Sequence, residues 1–584
     1  MHYLNILYGL LGLSFLVFIH ELGHFLVARF FKMRVETFSI GFGPTLFAKV
    51  YKGVLYRVAI IPFGGYVKIL GMDEDSEDEG SYYKAKPYQR LLMVLAGPVI
   101  NILFAFLGFC FIYFSGGFLR DSVDSSKLIG MVEPSSQLYE RGVRCGDILE
   151  SINGNEVRGR KELFFQAILD TKKSIVKGIS INYLAGTKSS FAYEVQSKKE
   201  NFRGLELNTI GLSAPASYMI YDSKRVRGAS MLSDSPMKDS GIQDGDRLLW
   251  LNGELVFSRE QLQTLLNEEK AFLTILRDHK VLQVKVPKVP LSEVAMTPYE
   301  KEEINDLRFD AKFSLVEDLK FIPYLIDHDG IVGNRFEKME DALLKPNDRI
   351  LAVDGIKTVF GADVMQLLQK KHVVAIVAHG NYQPIEQKGS DSHYFQEVHF
   401  KDLDKVIASI GVQGAGYELG NLRLLKSVSP MEIEYQGQKF SRLGISLVDR
   451  QVTVNPNPFI QFKDTFFEIS KIFGHLTQGE LNPKHLSGPV GIVGVMQKGW
   501  SESFKDGAFW LSTISLNLGI MNLLPLPVLD GGHIVLNFFE ILFRKRLSRK
   551  AMERIFIPFV FLLIGFAVFV TFHDIAKLLG MIKF

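Results

Sequence analysis

The sequence predicts a multi-domain membrane protein in which a four-helix α transmembrane bundle carries a string of small α+β domains on one side of the bilayer. Three observations point there. Apolar runs of about 20 residues or more, enough to cross a bilayer at 1.5 Å per residue, fall near residues 3 to 31, 91 to 115, 507 to 528 and 555 to 573. A polar stretch near 116 to 506 separates the second run from the third, and a short motif recurs in it three times. The mean hydropathy of +0.11 suits a few spans joined to a large polar portion.

The first run differs from a signal peptide because it lacks a basic leader and a small-residue cleavage site, so it is expected to stay in the protein as a span. Orientation follows from the basic residues. Arg29, Lys32, Arg34, Lys49, Lys52, Arg57, Lys68, Lys84, Lys86 and Arg90 lie between the first two runs, whereas residues 1 to 5 carry no Lys or Arg. Arg544, Lys545, Arg546, Arg549, Lys550 and Arg554 lie between the last two. The positive-inside rule therefore places both connections in the cytoplasm, and both termini and the long polar segment outside it. The formal net charge of +3 with 22% charged residues excludes a nucleic-acid binder and a disordered acidic chain. Two separated cysteines, Cys110 and Cys145, exclude a disulfide framework and a cysteine-based metal site.

The recurring motif reads "GVRCGDILESINGNEV" from Gly142, "GIQDGDRLLWLNGELV" from Gly241 and "LLKPNDRILAVDGIKT" from Leu343. Asp147, Asp246 and Asp348 stand 99 and 102 residues apart, each seven before the glycine of an Asn-Gly or Asp-Gly pair, Gly154, Gly253 or Gly355. A period near 100 residues is domain-sized. Apolar alternation ahead of Asn-Gly reads as a strand entering a tight hairpin. With the polar helices expected at Lys161 to Asp170 and Arg259 to Leu266, the pattern resembles PDZ domains, which bind extended peptides by strand addition. The third copy departs, with Asn347 in place of the glycine and an insertion at Asn381 to Asp404. Structural β modules without a ligand remain the alternative. Expected limits are 1–115 for the first two spans, 116–215 and 216–300 for two PDZ-like domains, 301–450 for a divergent third, and 451–584 for an amphipathic linker helix and the last two spans.

In the first run, His20 and His24 are four residues apart and share one helix face, with Glu21 beside them. This H-E-x-x-H spacing can offer two imidazoles to one Zn2+ and a glutamate base to a water molecule, and a catalytic zinc needs a third protein ligand. A glutamate inside a span costs about 2.5 to 3.5 kcal/mol on insertion scales, which argues for a function. The third run ends in "NLLPLPVLDGGHI", where Pro525 and Pro527 break the helix and place Asp530 at the cytoplasmic end of that span as the candidate third ligand. A helix-capping role for Asp530 and ligation by His533 are the competing readings.

Together these residues resemble the site-2 protease family of intramembrane zinc metalloproteases, close to the bacterial envelope-stress subgroup that cleaves anti-sigma factors and signal-peptide remnants in the inner membrane. The resemblance implies His20, His24 and Asp530 as zinc ligands and Glu21 as catalytic base. "FSIGFGP" from Phe38 and "PFGGYVKILG" from Pro62 are similar to the family's membrane-associated β-hairpin, which would receive substrate as a strand near Gly64 and Gly65. "SGPVGI" from Ser487 also matches, and Asn522, Pro525 and Pro527 stand where the family holds unwound substrate. An interhelical hydrogen bond is the structural alternative for Asn522. The implied partners are transmembrane protein or peptide substrates, plus peptide ligands of the PDZ-like domains. Rival readings are an inactive PDZ-bearing membrane adaptor and a zinc-handling membrane protein. The third repeat departs from the subgroup's two, as does the run "DEDSEDEG" from Asp73, read as a solvated loop.

Overall fold

The structure is a computed structural model that describes residues 2–578 apart from 73–77, 170–171, 203–204, 227, 315–317, 337–342, 387–393, 436 and 546–548. The acidic run from Asp73 falls mostly on 73–77, outside the described residues. Helix α1 (His2–Phe30) and helix α2 (Pro87–Phe114) form from the first two apolar runs and pack antiparallel. Small residues let membrane helices approach closely. Gly23 does so here, since a Cβ on it would lie 2.5 Å from the Ala96 carbonyl oxygen.

Strands β1 (Val35–Tyr51) and β2 (Val54–Ile69) between these helices form an antiparallel hairpin. Its register shifts between Ile40 and Thr45, where Gly41 and Gly43 take φ of 85° and bend the strand. The base of the hairpin packs on α1 through Phe38, whose ring lies 6.0 Å from Phe18 and 5.3 Å from Phe25. The tip is exposed and apolar at Leu46, Phe47, Val50 and Tyr51.

Each repeat in the polar segment builds the same corner. Asp147, Asp246 and Asp348 are buried, and each accepts the backbone N–H three residues earlier, from Arg144, Gln243 and Lys345 at 2.8, 2.7 and 2.8 Å. These aspartates fix a turn. Asn153, Asn252 and Asp354 then open tight turns with φ of 52°, 45° and 48°, a conformation that Asn, Asp and Gly adopt most readily.

The strands leaving these turns are exchanged between the second and third repeats. In the first repeat β3 (Ile148–Ile152) pairs with its own following strand β4 (Lys173–Asn182), and Asn153 Oδ1 accepts the Ile175 N–H at 2.9 Å. In the second, β5 (Asp246–Leu251) leads through helix Arg259–Asn267 into β6 (Lys270–Arg277), yet β6 pairs with β7 (Arg349–Val353) of the third. The third repeat returns the exchange, because β8 (Ala375–His379) follows its helix Gly361–Gln369 and pairs with β5. The turn contacts cross over too. Asn252 Oδ1 accepts from Val374 N and Asp354 Oδ1 from Phe272 N, both at 2.8 Å. The boundary expected at 300 therefore runs through an interlocked pair, with each copy's sheet completed by the other.

Asp354 stands where the first two repeats have Asn153 and Asn252. It is 1% exposed, and burial pushes its carboxyl up to about 6, against the pull of the Lys288 ammonium at 3.8 Å. A carboxyl raised on folding contributes stability below its unfolded pKa near 4 and loses that contribution as pH rises through about 6. Asp354→Asn keeps the acceptor for Phe272 without the charge. It is expected to leave stability unchanged near pH 4 and to raise it above pH 6 by up to about 2–3 kcal/mol, read as an upward melting shift of the full chain in detergent at pH 7.5 alone. An equal shift at both pH values would remove Asp354 as the titrating group.

Helix α3 (Pro458–Thr477) bridges to the first repeat through Arg158–Asp464 and Lys161–Glu468 ion pairs. Helix α4 (Pro489–Glu502) packs between α1 and α5 (Phe504–Asn522). The third apolar run differs from the single span expected at 507 to 528. Helix α5 stops at Asn522, residues 523–529 turn without helix, and α6 (Asp530–Phe543) continues. Both pieces follow α2 in the opposite direction: Ser515 Oγ donates to the Asn101 carbonyl at 2.9 Å, and Glu540 pairs with buried Arg90 at 2.8 Å. The prolines thus break the segment midway along α2, and Asp530 lies at the break rather than at a cytoplasmic end.

Helix α7 (Arg549–Leu578) lies at the periphery, anchored where the Asp574 carboxylate accepts the Gly491 N–H at 2.7 Å at the start of α4. Among the described residues, three helices are long and apolar enough to cross a membrane, Leu7–Phe30, Pro87–Phe114 and Arg554–Lys577. The chain is a membrane protein with β domains.

Candidate metal centre

His20 and His24 point from one face of α1 toward the break between α5 and α6. Two glycines shape that break. A Cβ on Gly531 would lie 1.9 Å from the Leu524 carbonyl oxygen, and one on Gly532 2.5 Å from that of Leu526, so α6 begins tight against the preceding turn. Asp530, the first residue of α6, consequently meets the histidines. Its Oδ2 lies 3.1 Å from His20 Nε2 and 3.5 Å from His24 Nε2, and the two Nε2 atoms are 3.2 Å apart. All three residues are shielded, with both histidines 8% exposed.

These separations suit a bound cation. A tetrahedral zinc with Zn–N and Zn–O bonds of about 2.0–2.1 Å sets its ligand atoms about 3.3 Å apart. Asp530 Oδ2 is buried with no hydrogen-bond partner among the described residues, an expensive condition for a carboxylate that a cation would relieve. The helix-capping alternative differs from the observed helix start, where Leu529 is the N-cap of α6 and Asp530 is the first helical residue, in its first turn. His533 turns elsewhere, its ring 5.2 Å from that of Phe556 on α7, and it is absent from the converging group.

Glu21 follows His20 on α1 and is also 8% exposed. The hairpin reaches it through Gly65, where a Cβ would lie 3.0 Å from Glu21 Cγ, 3.1 Å from Val17 Cγ1 and 2.7 Å from the Ser39 carbonyl oxygen. Gly64 beside it has φ of 98°, and a Cβ there would strike the Phe42 ring at 2.1 Å. Asn522, the last residue of α5, brings Nδ2 to 3.4 Å from His20 Nε2. Pro525 and Pro527 lie in the turn after it and touch none of the three clustered residues by hydrogen bond, as expected of residues that shape backbone.

Residues on α2 complete the surroundings and were not expected from sequence. His24 Nδ1 lies 2.9 Å from the Met93 carbonyl, and His20 Nδ1 lies 3.1 Å from the Asn101 side chain. Between them a Cβ on Gly97 would lie 2.3 Å from His24 Nε2. Asn101 had a signal available: it is a lone amide inside an apolar run. A backbone carbonyl leaves none.

Two imidazoles, one carboxylate and an adjacent glutamate, buried between membrane helices, form a group that could hold a metal ion, with the donor set of a zinc metallopeptidase. The sequence profile described as "Peptidase family M50" matches residues 8–566, and the chain belongs to that family, the site-2 proteases. It is similar to proteins named "Putative zinc metalloprotease". One from Chlamydia trachomatis is 34% identical over 97% of this chain and 98% of its own length, and one from Chlamydia pneumoniae is 34% identical over 98% of each. A third, from Thermotoga maritima, is 25% identical over 99% of this chain and all of its own length.

Proposed function

We propose that this metalloprotease is an intramembrane endopeptidase that hydrolyses peptide bonds within transmembrane segments of other proteins, of the anti-sigma-factor or signal-peptide-remnant kind. The observation that carries the reading is the convergence of His20, His24 and Asp530 beside Glu21 part-way along α2, 10 to 14 residues from its Pro87 end at the Gly97 to Asn101 level. At 1.5 Å per residue that is about 15–21 Å into a helix about 42 Å long, far from either surface.

His20, His24 and Asp530 would hold zinc, which supplies Lewis-acid polarisation of the scissile carbonyl and of water. Glu21 takes the proton of the attacking water and returns it to the leaving amine. A peptide bond inside a helix has its carbonyl occupied, so substrate must be drawn out as a strand. The hairpin near Gly65 presents main chain next to Glu21 for such a strand, and Asn522 offers an amide to its carbonyl; Pro525 and Pro527 hold the intervening turn open. In this reading the chain crosses a bacterial inner membrane four times, with both termini and the repeats outside the cytoplasm, as the positive-inside distribution of Lys and Arg supports. The repeats act as PDZ-like screens. A cavity of about 480 Å³ where the first repeat meets the second, between helix Arg160–Ile168 and strand Leu212–Pro215, is lined by Leu163, Ala167, Leu212 and Ala214 and also by Arg259 and Asp449, and suits an extended peptide.

The test reconstitutes the purified chain with a single-span substrate in vesicles and maps the products by mass spectrometry. Cleavage is expected inside the span, abolished by a zinc chelator and restored by zinc. Cuts confined to flanking soluble sequence would overturn the intramembrane assignment.

A further inference from the structure

Helix α2 meets the two histidines with a matching spacing. Met93, Gly97 and Asn101 follow at four-residue intervals on one stripe of α2, as His20 and His24 do on α1. The Met93 carbonyl can only accept a hydrogen bond, so at 2.9 Å it assigns the proton of neutral His24 to Nδ1 and leaves Nε2 as a bare lone pair. His20 needs the same tautomer to present Nε2, 3.1 Å from Asp530 Oδ2, to a shared cation. Among the described residues its Nδ1 faces the Asn101 amide, at 3.1 Å.

An amide can occupy its site in two orientations of the same shape. With Nδ2 toward His20, Asn101 Oδ1 is buried and has no hydrogen-bond partner among the described residues, and Asn101 is 0% exposed. Turned by a half rotation, Oδ1 accepts the Nδ1–H of His20 across the same separation. Gly97 gives the arrangement its room, since a Cβ there would also lie 2.9 Å from His20 Cε1.

We infer that Asn101 is a positioning residue whose amide oxygen holds His20 in the Nδ1–H tautomer, so that Nε2 faces the metal beside His24 and Asp530. The inference rests on the zinc reading above and extends it to a residue on a different helix. Without the acceptor, His20 is free to carry its proton on Nε2, where it cannot ligate, and its ring loses the contact that holds Nδ1. Loss of such an outer hydrogen bond typically weakens metal binding 10- to 100-fold.

The experiment uses the full chain in detergent and measures zinc affinity by competition with a chromophoric chelator, together with the visible spectrum of the cobalt-substituted protein. Asn101→Leu is expected to weaken zinc 10- to 100-fold and to change the cobalt bands, and Asn101→Ala, which removes the acceptor without adding bulk, is expected to do the same. Asn101→Asp still accepts the Nδ1–H and is expected to stay within a few-fold of the unaltered chain. Ser515→Ala removes only the bond to the Asn101 backbone carbonyl at 2.9 Å and controls for helix packing, with unchanged affinity expected. Unaltered affinity and spectrum in the Leu and Ala variants would overturn the inference, as would an Asp variant as weak as they are. An unaltered chain that binds no zinc would instead sink the metal reading itself, so the two failures are distinguishable.

Discussion

Glu21→Gln is expected to lower kcat for cleavage of a transmembrane substrate by about 10²–10⁴-fold, the range for loss of a general acid–base, while zinc content stays the same. The substitution keeps the shape that packs beneath Gly65 and beside Val17, and it removes only the ability to take a proton. His20, His24 and Asp530 are untouched, so the metal site remains a built-in control. Single-turnover cleavage in detergent with zinc analysis of the same sample separates the two quantities. Activity within a few-fold of the unaltered chain would remove Glu21 from the proton-transfer role. Loss of zinc along with activity would make it a structural residue.

Asp530→Ala is expected to take zinc from near one per chain to near zero. Two neutral imidazoles remain, which supply neither the third ligand that catalytic zinc sites use nor any charge to offset the ion in a dry surrounding. The loss should therefore exceed the roughly 10- to 100-fold seen for outer hydrogen bonds. The same substitution removes the buried carboxylate oxygen that has no hydrogen-bond partner among the described residues, so the metal-free protein should melt no lower than the unaltered metal-free chain. Metal analysis after dialysis, paired with melting curves with and without chelator, checks both halves. Retained stoichiometry would refute ligation by Asp530.

Much of the site was legible because its signals are local. Helical spacing puts His20 and His24 together whatever surrounds them, and a carboxylate within an apolar region marked Asp530. The prolines announced a break, but its depth depended on α6 continuing along α2, a packing fact held in Gly531, Gly532 and the Arg90–Glu540 pair. The contribution of α2 was missed for two reasons. Met93 acts through its backbone, which any residue would supply, and Gly97 acts by lacking a side chain. The strand exchange was illegible in principle, because repeats with equivalent turns offer each β-strand two nearly equivalent partners, and connection geometry decides between them.

That exchange limits how the array can change over generations. Excising the second repeat would take away one partner strand of β8 and expose the edge of β7; excising the third would take one partner strand each from β5 and β6. The first repeat pairs its own strands and meets the other two by side-chain packing and single hydrogen bonds, such as Ser258 Oγ donating to the Gly130 carbonyl at 2.9 Å, so its loss would leave the exchanged strands paired. The three motifs therefore amount to two heritable modules, one single and one double, and the double one is gained or lost whole.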